Sequence, residues 1–200
     1  MLSHLRPAIV LMVIFTLLTG LAYPLAMTGI ANLLFPAQAT GSQVEKDGKV
    51  IGSALIGQNF TKPEYFHGRP SATTDTDPND STKTIPAPYN ASNSSGSNLA
   101  PTAKALVDRV KADVEALQAE NPGVPVPGDL VTTSASGLDP DISPEAARFQ
   151  IKRVAKARNL PEATVAALVD SHIEGRLFGL IGEPHVNVLA LNMALDAAGK

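Results

Sequence analysis

The chain contains no cysteine. That excludes a disulfide framework, a thiolate nucleophile and any Cys-ligated metal centre. Tryptophan is missing as well, and only six Phe and three Tyr are spread over the 200 residues, so any core rests mainly on aliphatic side chains. Charge is missing from one long stretch: no Asp, Glu, Lys or Arg occurs between Pro7 and Val44. Basic excess is missing from the rest. From Gly41 onward 15 basic side chains face 19 acidic ones, which leaves no electrostatic footprint for nucleic acid. The four histidines, His4, His67, His172 and His185, stand at no paired-ligand spacing, and no Gly-x-Ser-x-Gly elbow occurs. The sequence therefore presents neither a metal site nor a catalytic constellation.

What is present begins with the uncharged stretch. Residues 8–27 are almost wholly apolar, and about 20 helical residues cross a hydrocarbon core of ~30 Å. Only Arg6 and the terminal amine precede the run, whereas Glu45, Lys46, Asp47 and Lys49 follow it. The positive-inside bias places residues 1–7 in the cytoplasm, 8–34 in the membrane as an anchor, and 42–200 outside as an extracytoplasmic domain. A cleaved signal peptide is the competing reading, with Ala37-Gln38-Ala39 as its small-x-small site. The apolar core exceeds the ~7–15 residues of a secretory h-region, which favours the anchor. Thr16 and Gly20, and Ala22 and Ala26, are spaced four apart and would let another helix approach closely. Pro24 breaks the hydrogen-bond ladder toward the outer end.

Beyond the anchor, residues 42–56 read as strand-turn-strand around Lys46-Asp47-Gly48-Lys49. Gly52 and Gly57 mark bulges or close backbone approach, and Phe60, Tyr65 and Phe66 seed a small core. Residues 67–100 hold almost no large apolar side chain, a length of polar loop that is either functional or disordered. Apolar spacing predicts a helix from Pro101 to about Gln118. The Pro-interrupted piece 124–131 is extended. Ser143-Pro144-Glu145 supplies an N-cap, a first helical residue and an early-turn acid. The helix it starts buries Ala147, Ile151, Val154 and Ala155 and stops at Asn159. Pro161-Glu162 starts the next, through Val165, Leu168, Val169 and Ile173. Gly175, Gly179 and Gly182 punctuate a loop, and Val188, Leu191 and Leu195 recur in a last helix. Strands in the first half and helices in the second give an α+β fold, with a small sheet and about four helices after one N-terminal transmembrane helix.

Asp139 and Asp141 flank a proline, either as paired carboxylates or calcium ligands or as ordinary turn and cap residues. Arg148, Lys152, Arg153, Lys156 and Arg158 make one helix basic, either toward acidic partners or lipid headgroups or simply toward water. Ser94-Ser95-Gly96-Ser97-Asn98, leading into the helix at Pro101, offers backbone N–H groups to an anion at a helix N-terminus.

Several stretches together resemble one family. They are Phe66-His67-Gly68-Arg69-Pro70-Ser71-Ala72, Tyr89-Asn90 with Ser94 to Thr102, Val126 to Thr132, Ser136 to Ala147, and Leu180 to Asn192. In this order, with the anchor, they are similar to KdpC, the C subunit of the bacterial Kdp-type potassium-transporting P-type ATPase. Four positions depart from the family's habit. Ser95 and Ala100 stand where glycine is usual, Asp141 where His is usual, and His185 where Arg is usual.

The resemblance implies a non-catalytic accessory subunit of a four-protein potassium import pump in the bacterial plasma (inner) membrane. Its partners would be a channel-like potassium-binding subunit, the phosphorylated P-type ATPase subunit and a small single-span subunit. It would have no cofactor of its own, with ATP and K+ handled by the complex. It would stabilise assembly and act as a catalytic chaperone that raises the ATP affinity of the ATPase subunit. Its serine-glycine loop, compared in the family with an ABC-transporter signature, would make Ser94, Gly96, Ser97 and Asn98 the nucleotide-binding residues. An extracytoplasmic loop cannot touch cytoplasmic ATP, so topology favours indirect coupling. The alternatives are an anchored or exported solute-binding or cell-envelope interaction module, and an extracytoplasmic serine hydrolase.

Overall fold

The computed structural model describes residues 2–198. The chain divides into two compact units, Met1–Ser53 and Ala54–Lys200.

In the first unit a 3-10 turn, Leu2–His4, enters a continuous apolar helix, α1 (Leu5–Leu34). Its 30 residues reach ~45 Å, longer than a ~30 Å hydrocarbon core. It is the one helix among the described residues long and apolar enough to cross a membrane, and its side chains face outward almost throughout. Midway, Leu18–Ala22 opens into a π turn, and the Tyr23 N–H donates to the Leu18 carbonyl. Pro24 is the cause. It has no N–H for the Gly20 carbonyl, and its ring would crowd that carbonyl in a regular helix, so the preceding turn widens. Polar side chains are satisfied within the helix: Thr19 Oγ1 donates to the Phe15 carbonyl at 2.7 Å and Asn32 Nδ2 to the Thr28 carbonyl at 2.9 Å.

After the kink at Phe35 and the single turn α2 (Pro36–Ala39), strands β1 (Gln43–Lys46) and β2 (Lys49–Ser53) form the expected hairpin. Asp47 and Gly48, at φ 53° and 74°, make its left-handed turn. A bulge lies next to the Val44–Gly52 pair.

The second unit carries its strands differently from expectation. Within the polar stretch 67–100 lies a hairpin of β3 (Thr74–Asp77) and β4 (Asp80–Pro86). Its alternation is Thr against Asp rather than apolar against polar, so no period-2 signal marks it. Helix α3 spans Lys104–Glu120, not Pro101 to Gln118. Ala100 to Ala103 form a turn instead, with the Ala103 N–H on the Ala100 carbonyl at 2.9 Å. The remaining strands, β5 (Asp141–Ile142), β6 (Ile173–Glu174) and β7 (His185–Asn187), build an antiparallel sheet in the order β5-β7-β6. The main sheet thus belongs to the half that reads as helical.

Helices α4 (Pro144–Arg158), α5 (Glu162–Ser171) and α6 (Val188–Ala198) enclose the core. Ser143 caps α4, its Oγ accepting from the Ala146 N–H at 3.1 Å, and left-handed Asn159 ends it. Ala146, Ala147, Val154, Val165, Val169, Leu191 and Leu195 are fully buried together with Ile142 and Val186 of the sheet. Ile151 and Leu168 are half-buried against them. Phe66, also fully buried, brings the segment before the polar stretch into this core.

Candidate functional site

The segment 64–69 has no sheet to pair with, yet its residues are buried or half-buried. Side chains of α4 and α6 supply the missing ladder. The Phe66 N–H donates to Asn192 Oδ1 at 2.8 Å, and Asn192 Nδ2 donates back to the Phe66 carbonyl at 2.9 Å. Gln150 repeats the pattern one residue on, accepting from the His67 N–H at 2.8 Å and donating to its carbonyl at 3.0 Å. Both amides are only 2% exposed. Two arginines continue the clamp. Arg153 reaches the carbonyls of Pro63 and Tyr65 at 2.6 and 2.9 Å, and Arg158 reaches that of Glu64 at 2.7 Å. Arg158 also lies over the Tyr65 ring and pairs with Asp196 at 2.8 Å. The basic character of α4 is therefore largely structural at 153 and 158, while Arg148 pairs with Asp170 at 2.9 Å.

The strap so fixed carries Arg69, whose guanidinium meets Asp139 at 3.0 Å and the Thr133 carbonyl at 3.3 Å. Asp139 thus forms an ion pair, and its Oδ1 accepts the Asp141 N–H at 3.1 Å, a turn role. Ser71 and buried Thr73 tie the strap to the next segments. Ser71 Oγ donates to the Gly137 carbonyl at 2.7 Å and accepts the Tyr89 N–H at 3.0 Å. Thr73 Oγ1 donates to the Ala87 carbonyl at 2.6 Å and accepts the Asn90 N–H at 3.0 Å. Tyr89, at φ 61°, lays its ring over Gly57 and Gly68 and donates its hydroxyl to the Arg69 carbonyl at 2.7 Å. A Cβ at Gly57 would strike that ring and stand 2.6 Å from the Asp139 carbonyl, which explains the glycine there. Burial, reinforced by Asp139, pushes the Tyr89 phenol up to about 12.

Ser94, Gly96, Ser97 and Asn98 lie along this lattice. Ser94 Oγ donates to the Ser136 carbonyl at 3.1 Å. Gly96 packs so closely that a Cβ would meet the Ala135 carbonyl at 2.9 Å, and Asn98 adopts the left-handed conformation at φ 51°. Five residues separate Asn98 from the first residue of α3, Lys104, so the loop is not at a helix N-terminus and the helix-dipole argument for an anion does not apply to it. Thr16, Gly20, Ala22 and Ala26 are exposed on α1, with Gly20 and Ala22 inside the π turn.

Beside the strap opens a cavity of about 430 Å³, lined among others by Phe60, Leu117, Leu130, Arg69, Glu120 and Arg153. Arg153 pairs with Glu120 at 3.3 Å. His67 borders the cavity and donates Nε2–H to the Lys62 carbonyl at 3.0 Å. Burial, with the nearby Arg153 charge, holds its pKa below the ordinary value. The Ser171 hydroxyl stands 3.1 Å from His172 Nδ1, but both also face the Leu168 carbonyl, at 2.9 and 2.8 Å, and so close the end of α5. Among the described residues no group of three or more His, Asp or Glu is placed to hold a metal. What the arrangement offers is a rigid, hydrogen-bonded polar surface built from loops.

The family model described as "KdpC: K+-transporting ATPase, c chain" matches residues 5–197. The chain belongs to the KdpC family. Its relatives include proteins named "Potassium-transporting ATPase KdpC subunit" from three bacteria. The one from Bradyrhizobium diazoefficiens is 72% identical over 198 residues, covering 99% of this chain and 98% of its own length. That from Methylobacterium nodulans is 71% identical over 201 residues and the full length of both. That from Rhodopseudomonas palustris is 70% identical over 198 residues, covering 99% of this chain and all of its own. In this KdpC family member Asp141 Oδ2 and His185 Nε2 are 3.9 Å apart on neighbouring strands β5 and β7.

Of Gln150 and Asn192, which hold the strap, Gln150 belongs to no motif that the sequence displays, and Asn192 only closes the stretch 180–192, with nothing there to mark it as a clamp. A weaker signal does mark them, because each is a polar residue on an otherwise apolar helix stripe, and a buried amide requires partners.

Proposed function

We propose that this chain is the accessory subunit of a bacterial ATP-driven potassium importer, anchored by α1 with its N-terminus in the cytoplasm and residues 42–200 on the outer side. The observation that carries this reading is the KdpC match across residues 5–197. Arg6 before the apolar run and mixed charge after it support the orientation. The subunit holds the pump together and raises the ATP affinity of the ATPase subunit without touching nucleotide. Coupling runs through the partners as a shift between conformations, to the extent that the subunit binds one conformation more tightly than the other. In this reading Ser94, Gly96, Ser97 and Asn98 contribute a protein-facing loop. Their close packing against 134–137 supports that role.

The test uses the whole complex purified in detergent. With the chain present, the partners co-purify and the KM for ATP is several-fold lower than in a preparation stripped of it. In intact cells, Ser94→Cys on this cysteine-free background reacts with a membrane-impermeant maleimide. Labelling only after cell lysis would overturn the orientation, and nucleotide protection of the introduced thiol would overturn indirect coupling.

A further inference from the structure

Strands β6 and β7 form a hairpin whose tip breaks the burial pattern of its unit. Leu177, Phe178, Leu180 and Ile181 are all exposed, Phe178 by 85% and Leu180 by 82%. Four large apolar side chains within five residues form a patch at the scale that marks interaction sites on soluble surfaces. The tip is not slack. Leu177 and Ile181 exchange both backbone hydrogen bonds, at 2.9 and 3.0 Å, and the Gly179 N–H donates to the Arg176 carbonyl at 2.9 Å.

Phe178 is held at φ 53°. A bulky residue there is strained, and such strain persists where surrounding structure compensates it. Tyr89, the other aromatic with positive φ, is compensated by its packing on Gly57 and Gly68. The Phe178 ring projects into solvent, so nothing among the described residues plays that part.

A collar of charge surrounds the hairpin. Asp141, Glu174 and Glu183 are acidic, Arg176 is paired with Glu183 at 2.6 Å, and His185 lies 3.7 Å from Glu174. Three carboxylates against one permanent cation disfavour an anionic lipid surface, which selects apolar tips ringed by Lys and Arg.

We propose that the hairpin tip Leu177–Ile181 is a plug that seats in an apolar, basic-rimmed pocket on a partner subunit of the pump. The inference rests on the accessory-subunit reading and supplies one of its docking surfaces.

The absence of native cysteine makes the test clean. Leu180→Cys is introduced into the full-length chain and its maleimide labelling rate is compared in the assembled complex and in the chain alone, both in detergent. The assembled complex should label at least tenfold more slowly. A benzophenone maleimide attached to the introduced thiol should yield an adduct with a partner protein. Equal labelling rates would overturn the plug, as would photo-adducts confined to lipid or detergent. A second variant, F178S/L180S, should reduce co-purification about tenfold while leaving the melting temperature of the free chain unchanged or raised. Unimpaired co-purification would likewise overturn the plug. If the unmodified chain itself fails to co-purify, the accessory-subunit reading fails. If it co-purifies and the thiol at position 180 stays open to label, only the plug fails.

Discussion

Asn192 and Gln150 show how much of this molecule depends on single side chains that substitute for a strand. Each amide satisfies both backbone groups of one residue in a segment with no sheet partner. Replacing Asn192 with Leu leaves the buried Phe66 N–H and carbonyl unpaired, at about 1–3 kcal/mol per group. The variant should lose about 2–6 kcal/mol of stability, read as a lower urea midpoint by tyrosine fluorescence of the full chain in detergent. His67 carries a pH signature in the same place. Its folded pKa lies below the ordinary 6.5, so as pH falls through 6.5 the unfolded chain takes up the proton first and stability falls. Below the folded pKa both states are protonated and the loss levels off. His67→Gln should flatten the stability profile between about pH 7 and 5, and an unchanged slope would assign it to other groups. Both amides were legible in principle, as polar interruptions of apolar stripes. Their partners were not, because the strap lies 83 and 126 residues away in sequence and periodicity carries no long-range information.

At the scale of elements, legibility followed the apolar pattern. The Ser143 cap, the left-handed Asn159 stop and the helix between them could be read directly, because capping chemistry is local. The β3–β4 hairpin could not, since Thr and Asp alternate without an apolar face. Helix α3 starts three residues beyond Pro101 because that proline opens a turn as readily as a helix. The serine-glycine loop is held in place by neighbours such as Gly137, at φ 66°, where a Cβ would stand 2.6 Å from the Ser95 carbonyl. Gly137→Ala therefore combines backbone strain with a backbone clash and should cost more than about 2 kcal/mol. Gly48→Ala, at φ 74° with open space around it, should cost only about 1 kcal/mol. Thermal melts of the two variants rank them; equal shifts would mean that the loop yields freely. In α1, the π turn places Gly20 beside the widened ladder above Pro24. Thr16→Leu with Gly20→Leu fills that surface and should weaken co-purification with the pump, leaving the melt of residues 54–200 unaltered. Undiminished co-purification would make α1 a plain tether.

The whole molecule joins two units stabilised by different solvents. The fold of 54–200 depends on a water-driven core and a polar lattice, and a domain of this kind has roughly 5–15 kcal/mol of net stability. The helix α1 has almost no buried side chain, and in detergent or lipid its backbone hydrogen bonds have no competitor, because apolar surroundings offer none. Heating should therefore separate them. The tyrosine near-ultraviolet signal is dominated by Tyr65 and Tyr89, both in the second unit, and should vanish in one cooperative step. A helical far-ultraviolet signal corresponding to about 30 of the 200 residues should persist well above that temperature. Coincident loss of both signals would show that α1 is held by the rest of the chain rather than by the apolar phase. Persistence matters for the proposed role, because a subunit whose second unit melts would then be held in the apolar phase by α1 alone. It would lose the surfaces built from 63–73, 89–98 and 177–181, so both co-purification and ATP affinity should fall with the near-ultraviolet transition.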